Sequence, residues 1–190
     1  TDMLTTTSGS RYKVAWLPDS SGFVYPRLSP TALTGPSGEM YARGRQFVHR
    51  IGYPVADDTA VFGHGVDPAI PTDIDDLPSA VLMASDSKWM VARLARVKRD
   101  TVELWAAPLD AVLAGSATWK RISEGGLSAP ALRGHRLHAI TSEGADRRRI
   151  VAFDLDDAAS GWNTVVPQRE GVIRDFVLAD QDALYFTELR

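Results

Sequence analysis

"WAAPLD" at residues 105–110 returns as "VAFDLD" at residues 151–156, an offset of 46. Two further correspondences keep nearly the same step. Trp119 in "ATWKRIS" is followed by Trp162 in "SGWNTVV" at an offset of 43. "ALRGHRLHAIT" (131–141) is followed by "VLADQDALYFT" (177–187) at an offset of 46, each being an apolar run, a polar turn and a second apolar run. A period of about 45 residues holding several short apolar runs is the sequence sign of β-propeller blades, each a four-stranded sheet. A β-sandwich also sets short strands between turns, roughly every 8 to 12 residues, and stands as the alternative architecture.

Working outward from the repeat divides the chain into four units, at about 13–65, 79–125, 129–169 and 171–190, with residues 1–12 as a leader. Strands are expected at 13–17, 22–28, 40–52 and 59–63 in the first unit, and at 80–84, 88–97, 101–108 and 118–123 in the second. The third has them at 130–132, 136–142, 149–155 and 163–167, and the fourth holds only 172–178 and 183–189. The fold class is therefore all-β, a propeller fragment of about three and a half four-stranded blades. The first hairpin, "VAWLPDSSGFVY" (14–25), carries its own turn chemistry: Pro18 presets φ, Asp19 bonds the backbone ahead of it, and Gly22 tolerates positive φ. Residues 88–99 also place Met90, Leu94 and Val97 at helical spacing, so pattern alone leaves a helix open there. Stretches 110–114 and 156–160 read as single helical turns between third and fourth strands. "SPTALTGPSG" (29–38) reads as a flexible insertion, and "VDPAIPTDIDDLP" (66–78) as a segment running extended across the surface.

Composition narrows the function. With 190 residues, 44% of them apolar, the chain can bury a core, and a net charge of −3 argues against a nucleic-acid surface. The absence of cysteine removes disulfides, thiol nucleophiles, Cys-type zinc sites and iron–sulfur clusters. No apolar run is long enough for a membrane-spanning helix and residues 1–10 lack signal-peptide features, so the chain reads as soluble, with its compartment undetermined. Starting on Thr1 and ending on Arg190 within an apparent strand, it is expected to have been cut from something longer.

The candidate residues yield no catalytic constellation. The serine elbow of α/β-hydrolases needs G-x-S-x-G between a strand and a helix. The nearest stretches, around Ser8 and Ser128, lack that pattern and read as turns. His135 and His138 have no spaced third ligand and read as surface residues near a tight turn. His64, between glycines, reads as a strand exit, and His49 as an outward-facing strand residue. The clusters Asp73, Asp75, Asp76 and Asp154, Asp156, Asp157 lack the glycine and distal glutamate of a calcium loop and read as solvated turn acids. The run Arg147, Arg148, Arg149, matched by Glu143 and Asp146, reads as a charged hairpin tip. Trp16 and Trp105 are expected to fill space between blades, and Trp119 and Trp162 to share a repeated structural position. No metal and no cofactor are expected, and catalytic and metal residues are none; substrate-binding residues stay unassigned.

The order of motifs resembles one family. "VAWLPDSSGFVY" is similar to a blade start common in the propeller of prolyl oligopeptidases. "YARGRQFVHRIGYPVADDTAVFGH" (41–64) looks like that family's next segment, and "LMASDSKWMVARL" followed by "VELWAAPLD" looks like a further blade. "RIVAFDLDDAASGWNTVVPQRE" (149–170) resembles the family's later pattern, so the likeness extends over residues 12–190. It implies the middle of a seven-bladed propeller that lies over the active site of an α/β-hydrolase domain and restricts access to short peptides. The implied partners are that catalytic domain and short peptides; the chain by itself is expected to be inactive, its parent a serine endopeptidase. In the family, the hairpin between second and third strands of the second unit contributes an arginine to peptide binding. Ungapped, that arginine falls on Ala95, beside Arg96 and near Lys98 and Arg99, so the role is carried to none of them. The alternative function is an interaction module, propeller or sandwich, with no peptidase attached. Three and a half blades do not close a ring, so the isolated chain is expected to pair with a copy of itself or to be unstable.

Overall fold

The computed structural model describes residues 14–27, 41–179 and 183–190, except for the side chains of 79–81; the leader and the whole of the 29–38 insertion lie outside the described residues. Every sheet is antiparallel, and strands pair in chain order. Sheet 1 holds β1 (Ala15–Trp16), β2 (Gly22–Arg27), β3 (Arg45–Arg50) and β4 (Thr59–Gly63). Sheet 2 holds β5 (Leu77–Leu82), β6 (Trp89–Arg96), β7 (Thr101–Pro108) and β8 (Lys120–Glu124). Sheet 3 holds β9 (Leu127–Arg133), β10 (Arg136–Thr141), β11 (Arg149–Asp154) and β12 (Trp162–Val166), and sheet 4 pairs β13 (Val172–Leu178) with β14 (Leu184–Leu189). These are the three and a half units that the repeat implies. A short helix α1 (Leu109–Leu113) and a 3-10 turn at Ala158–Ser160 connect third to fourth strands in sheets 2 and 3. No described helix is long and apolar enough to cross a membrane.

The repeat has a structural counterpart. In each four-stranded sheet the register between third and fourth strands slips once, at Gln46/Phe47, Leu104/Trp105 and Ile150/Val151. The last two slips fall where "WAAPLD" and "VAFDLD" align. An extra residue at this place bends the strand and increases its twist, so each sheet turns its outermost strand in the same way.

The chain forms two compact units, Thr1–Glu124 and Gly125–Arg190. In the first, Leu17, Val24, Val48 and Phe62 of sheet 1 and its borders pack with Met90, Leu94, Ala107 and Trp119 of sheet 2 and its borders. In the second, Ile140 and Ile150 of sheet 3 pack with Ile173 and Phe176 of sheet 4. Segment 88–99 is a strand for eight residues and then a 3-10 turn at Val97–Arg99. Its helical spacing misleads because Met90, Val91 and Ala92 are buried in succession, and a strand covered on both faces does not alternate.

Three expectations are corrected. In the first hairpin Asp19 does accept from the Ser21 amide and hydroxyl, at 3.0 and 2.7 Å. Ser20, however, takes the positive φ, 59°. Gly22 is required for a different reason: a Cβ there would lie 2.2 Å from the carbonyl oxygen of His49 on β3. Trp16 does not fill interior space; it is 56% exposed. It stands opposite Phe23, on the face of sheet 1 that alternation turns away from Val24 and the core. Segment 66–78 is not an extended surface strap. It turns repeatedly, buries Ile70 in the core, and begins β5 at Leu77, three residues ahead of the expected start at 80. Pro78 is tolerated within β5 because the register slips between it and Ala80, and its carbonyl accepts from Gln46 Nε2 at 2.6 Å.

Candidate functional site

The most developed polar feature lies at one end of sheet 2, where β6 passes through the Val97–Arg99 turn into β7. Asp100 closes that turn in the left-handed region, φ 50°. Arg96, the last residue of β6, points its guanidinium between two carboxylates. Nη1 donates to Asp76 Oδ2 at 2.8 Å and to the Pro71 carbonyl at 2.7 Å, and Nη2 donates to Glu103 Oε2 at 2.8 Å. The Trp105 indole donates to the same Glu103 oxygen at 2.8 Å. All three charged side chains are buried, Arg96 8%, Asp76 3% and Glu103 1% exposed. Arg96 therefore ties the 66–78 segment to the sheet.

Buried charges persist only when paired and hydrogen-bonded. Burial pushes the Glu103 carboxyl up, but the Arg96 guanidinium, the Trp105 indole and the Arg121 charge together hold it below the ordinary glutamate value. Burial likewise works against the Arg96 cation, and the two carboxylates reverse this, raising it above its usual value. The pairing is incomplete: Arg96 Nε and Glu103 Oε1 are buried without hydrogen-bond partners. Arg121 Nη1 on β8 stands 3.6 Å from Glu103 Oε1.

A cleft of about 500 Å³ opens here, lined by Arg96 and Glu103 together with Thr72 and Asp73, Lys98 and Arg99 of the hairpin, and Arg121 of β8. Lys98 reaches Asp73 at 3.5 Å and Asp75 at 4.0 Å, all three well exposed. Asp73 and Asp75 are thus solvated turn acids, whereas Asp76 is not: its carboxylate is an interior partner of Arg96 and also accepts from the Asp73 amide at 2.8 Å.

The remaining candidates are scattered. His49 is not outward-facing; its Nδ1 lies 2.8 Å from Asp58 Oδ1 in a second polar cluster on sheet 1. There Tyr25 donates to Asp58 Oδ2 at 2.6 Å and Arg27 reaches the same oxygen at 2.7 Å. Burial and the bond to Asp58 push the Tyr25 phenol up to about 12. His64 follows the end of β4, with Nδ1 3.1 Å from Thr72 Oγ1. His135 faces Asp154 at 3.5 Å. Arg147 and Arg148 lie in the hairpin turn between β10 and β11, where they donate to the carbonyls of Glu170 and Ile173 and so tie this turn to the start of β13. Asp154 accepts from the amides of Asp156 and Asp157. Ser8 lies outside the described residues, and Ser128 sits within β9 rather than in a turn, its hydroxyl 3.4 Å from the Ile140 carbonyl. Among the described residues no group of three His, Asp or Glu side chains is placed to hold a metal.

His138 also departs from its sequence reading. It is half-buried on β10, Nδ1 has no hydrogen-bond partner, and burial together with the Arg136 charge lowers its pKa. A histidine depressed in the folded state contributes stability that is present above its unfolded value and lost as pH falls through the folded one. The wild-type protein is therefore expected to lose more stability between pH 7 and pH 5 than His138→Leu does, compared by urea midpoints. Equal slopes contradict the assignment.

Sequence reasoning singled out Arg96, Lys98 and Arg99 without assigning any of them a role, and passed over Glu103 and Arg121. The signal was a single charge inside the apolar run "TVELWAAP", which a strand buried on both faces accepts only with an interior partner.

Comparisons with known proteins agree with this architecture. The family model described as prolyl oligopeptidase, N-terminal beta-propeller domain, matches residues 1–190. Prolyl oligopeptidase A of Galerina marginata is 21% identical over 169 residues, covering 84% of this chain and 22% of that protein. A solved prolyl endopeptidase superposes with a TM-score of 0.72 at 20% identity, over 97% of this chain and 26% of its own. Prolyl oligopeptidase B of Galerina marginata, solved with a 25-residue macrocyclization substrate, gives 0.73 at 16% identity, over 93% of this chain and 24% of its own. The chain thus spans about a quarter of the length of these relatives. The repeat, the recurring register slip and the family match over every residue lead to one assignment: the chain belongs to the prolyl oligopeptidase N-terminal beta-propeller domain family.

Proposed function

We propose that this chain is the non-catalytic propeller segment of a prolyl-oligopeptidase-like serine peptidase and gates the access of short peptides to an α/β-hydrolase domain carried elsewhere in the protein. The observation that carries this reading is the family match across residues 1–190. The peptide substrate bound to the Galerina marginata relative supports peptides as the ligand class. Ser128, held within a strand, is no nucleophile elbow, in keeping with a non-catalytic role. The test is a paired hydrolysis assay. The 190-residue chain alone should leave a chromogenic proline peptide intact. The protein joined to its hydrolase domain should cleave that peptide and spare the same sequence embedded in a long unfolded chain. Cleavage by the chain alone, or equal cleavage of short and long substrates, overturns the proposal.

Self-association of the isolated chain is part of the same reading. Val177, Tyr185 and Leu189 are 60, 64 and 55% exposed. Val177 is opposite Tyr185 in the register, so their side chains share one face of sheet 4. β14 pairs only with β13 among the described residues, leaving its other edge open. The 190-residue chain is expected to sediment as a dimer or larger species, and Tyr185→Lys with Leu189→Lys to shift it toward monomer. A monodisperse wild-type monomer contradicts this.

A further inference from the structure

We infer that a pocket at the start of β4 binds a primary ammonium carried on a short apolar stem, and that Asp57 is the residue that receives its charge. The pocket, of about 140 Å³, shares no lining residue with the cleft of sheet 2. Val48, Val61, Val112 and Leu113 line it, and the three valines are at most 7% exposed, so it borders on the apolar core that joins sheets 1 and 2. Arg50, Tyr53, Asp57, Asp58 and Thr59 supply the rest of the lining, from the end of β3 to the first residue of β4.

The ligand is selected by which of these polar groups is already engaged. Asp58 is not available: Oδ2 accepts from Tyr25 at 2.6 Å and from Arg27 at 2.7 Å, and Oδ1 lies 2.8 Å from His49 Nδ1. Those contacts fix Asp58, and with it the neighbouring Asp57, at the entry to β4. Arg50 donates through Nη1 to Ser21 Oγ at 2.9 Å, and that hydroxyl donates on to Asp19. The Asp57 carboxylate, by contrast, is exposed and has no ion-pair or hydrogen-bond partner among the described residues. Counting these groups with their partners, Asp19, Asp57 and Asp58 stand against Arg27 and Arg50, which leaves a negative balance when His49 is neutral. A divalent metal needs several more oxygens than one free carboxylate supplies. An ammonium needs fewer: it can pair with Asp57, donate to the Thr59 hydroxyl and lie against the Tyr53 ring, which is 65% exposed. Methylene groups behind it leave water for the surface of the valines and Leu113.

The test follows amide chemical shifts of the intact protein near neutral pH on titration with n-butylammonium, with 1-butanol as its neutral counterpart, and with N-acetyl-lysine N-methylamide. Saturable shifts are expected at Asp57, Thr59 and Leu113, with n-butylammonium bound roughly fivefold tighter than 1-butanol and the preference shrinking at high salt. Asp57→Asn should abolish the preference. Its side chain is exposed and unpaired, so the thermal midpoint should hold and the loss reports the site. Tyr53→Leu should weaken n-butylammonium about twofold and leave 1-butanol unchanged. The lysine derivative separates the two sources of such a group: binding at least as tight as n-butylammonium supports a lysine side chain of a partner protein, and binding of n-butylammonium alone supports a free amine. Asp73 and Asp75, exposed acids of the 66–78 segment, are the control for general attraction of cations. Equal shifts at those two residues, alcohol and ammonium binding alike, a preference that survives Asp57→Asn, or no shift with any probe overturns the inference.

Discussion

Arg96→Ala is expected to cost about 3–5 kcal/mol of folding stability in urea unfolding, the range for removing one partner of a buried charge pair. The loss comes from what remains: Asp76 and Glu103 would lose the guanidinium set between them, with only the 3.6 Å contact of Arg121 left to Glu103, and the Pro71 carbonyl would lose its donor. Arg96→Lys should fall in between, because an ammonium keeps the charge but does not match the planar spread of the three acceptors. The triple substitution Arg96→Met, Asp76→Asn, Glu103→Gln should recover most of the loss, since it removes the stranded charges together. An alanine variant within 1 kcal/mol of wild type would mean that water reaches both acids. The pH dependence has a definite sign. Glu103 is held below its ordinary value in the folded state. Its contribution is thus present above the ordinary glutamate range and lost as pH falls through the depressed folded value. The stability gap between wild type and Glu103→Gln should narrow on acidification; a gap that widens contradicts the assignment.

Trp119→Ala should lose a comparable amount, about 3–5 kcal/mol, whereas Trp162→Ala should lose roughly 1 kcal/mol. The two tryptophans occupy matching places in their sheets. Trp119 immediately precedes Lys120, which pairs with Ala106, so it stands level with Ala107; Trp162 pairs with Phe153, which the repeat aligns with Ala107. The difference is the neighbour's size. Beside Ala107 the indole sinks into the core and meets Phe62 edge-on, 4.8 Å between ring centres, with 6% of Trp119 exposed. Beside Phe153 the space is filled, and Trp162 rests on that ring at 5.4 Å, half-buried. Thermal unfolding of the two variants checks the contrast, and equal losses would show that the repeated position carries the same burden in both sheets.

That pair also shows how far the sequence could be read. Period, strand order and turn residues are local properties, and they brought out the sheets, the helical turn after β7 and the proper partner of Asp19. What failed depended on the face a residue turns to. Trp16 and Trp105 look alike in their runs, but a two-residue strand places Trp16 on the face away from the core. Gly22 looks like a turn glycine and is instead a point of close backbone approach. The floor of the cleft was invisible for a related reason. Asp76 reads as one of three turn acids, and only the folding back of the 66–78 segment distinguishes it from Asp73 and Asp75.

The chain-order pairing of the strands bears on how the protein acquires its structure. Each four-stranded sheet is completed within one continuous stretch, Ala15–Gly63, Leu77–Glu124 or Leu127–Val166, and none waits for a distant strand. All-β proteins generally fold slowly because their pairings join remote parts of the chain. Here the backbone ladder has low contact order, so each sheet can form as it leaves the ribosome, before the next has been synthesised. The hydrophobic faces between sheets 1 and 2 and between sheets 3 and 4 are then closed late, after the rate-limiting step. Substitutions there, such as at Phe62 or Trp119, should change the unfolding rate far more than the folding rate, and hydrogen exchange should report the sheets as separate cooperative units.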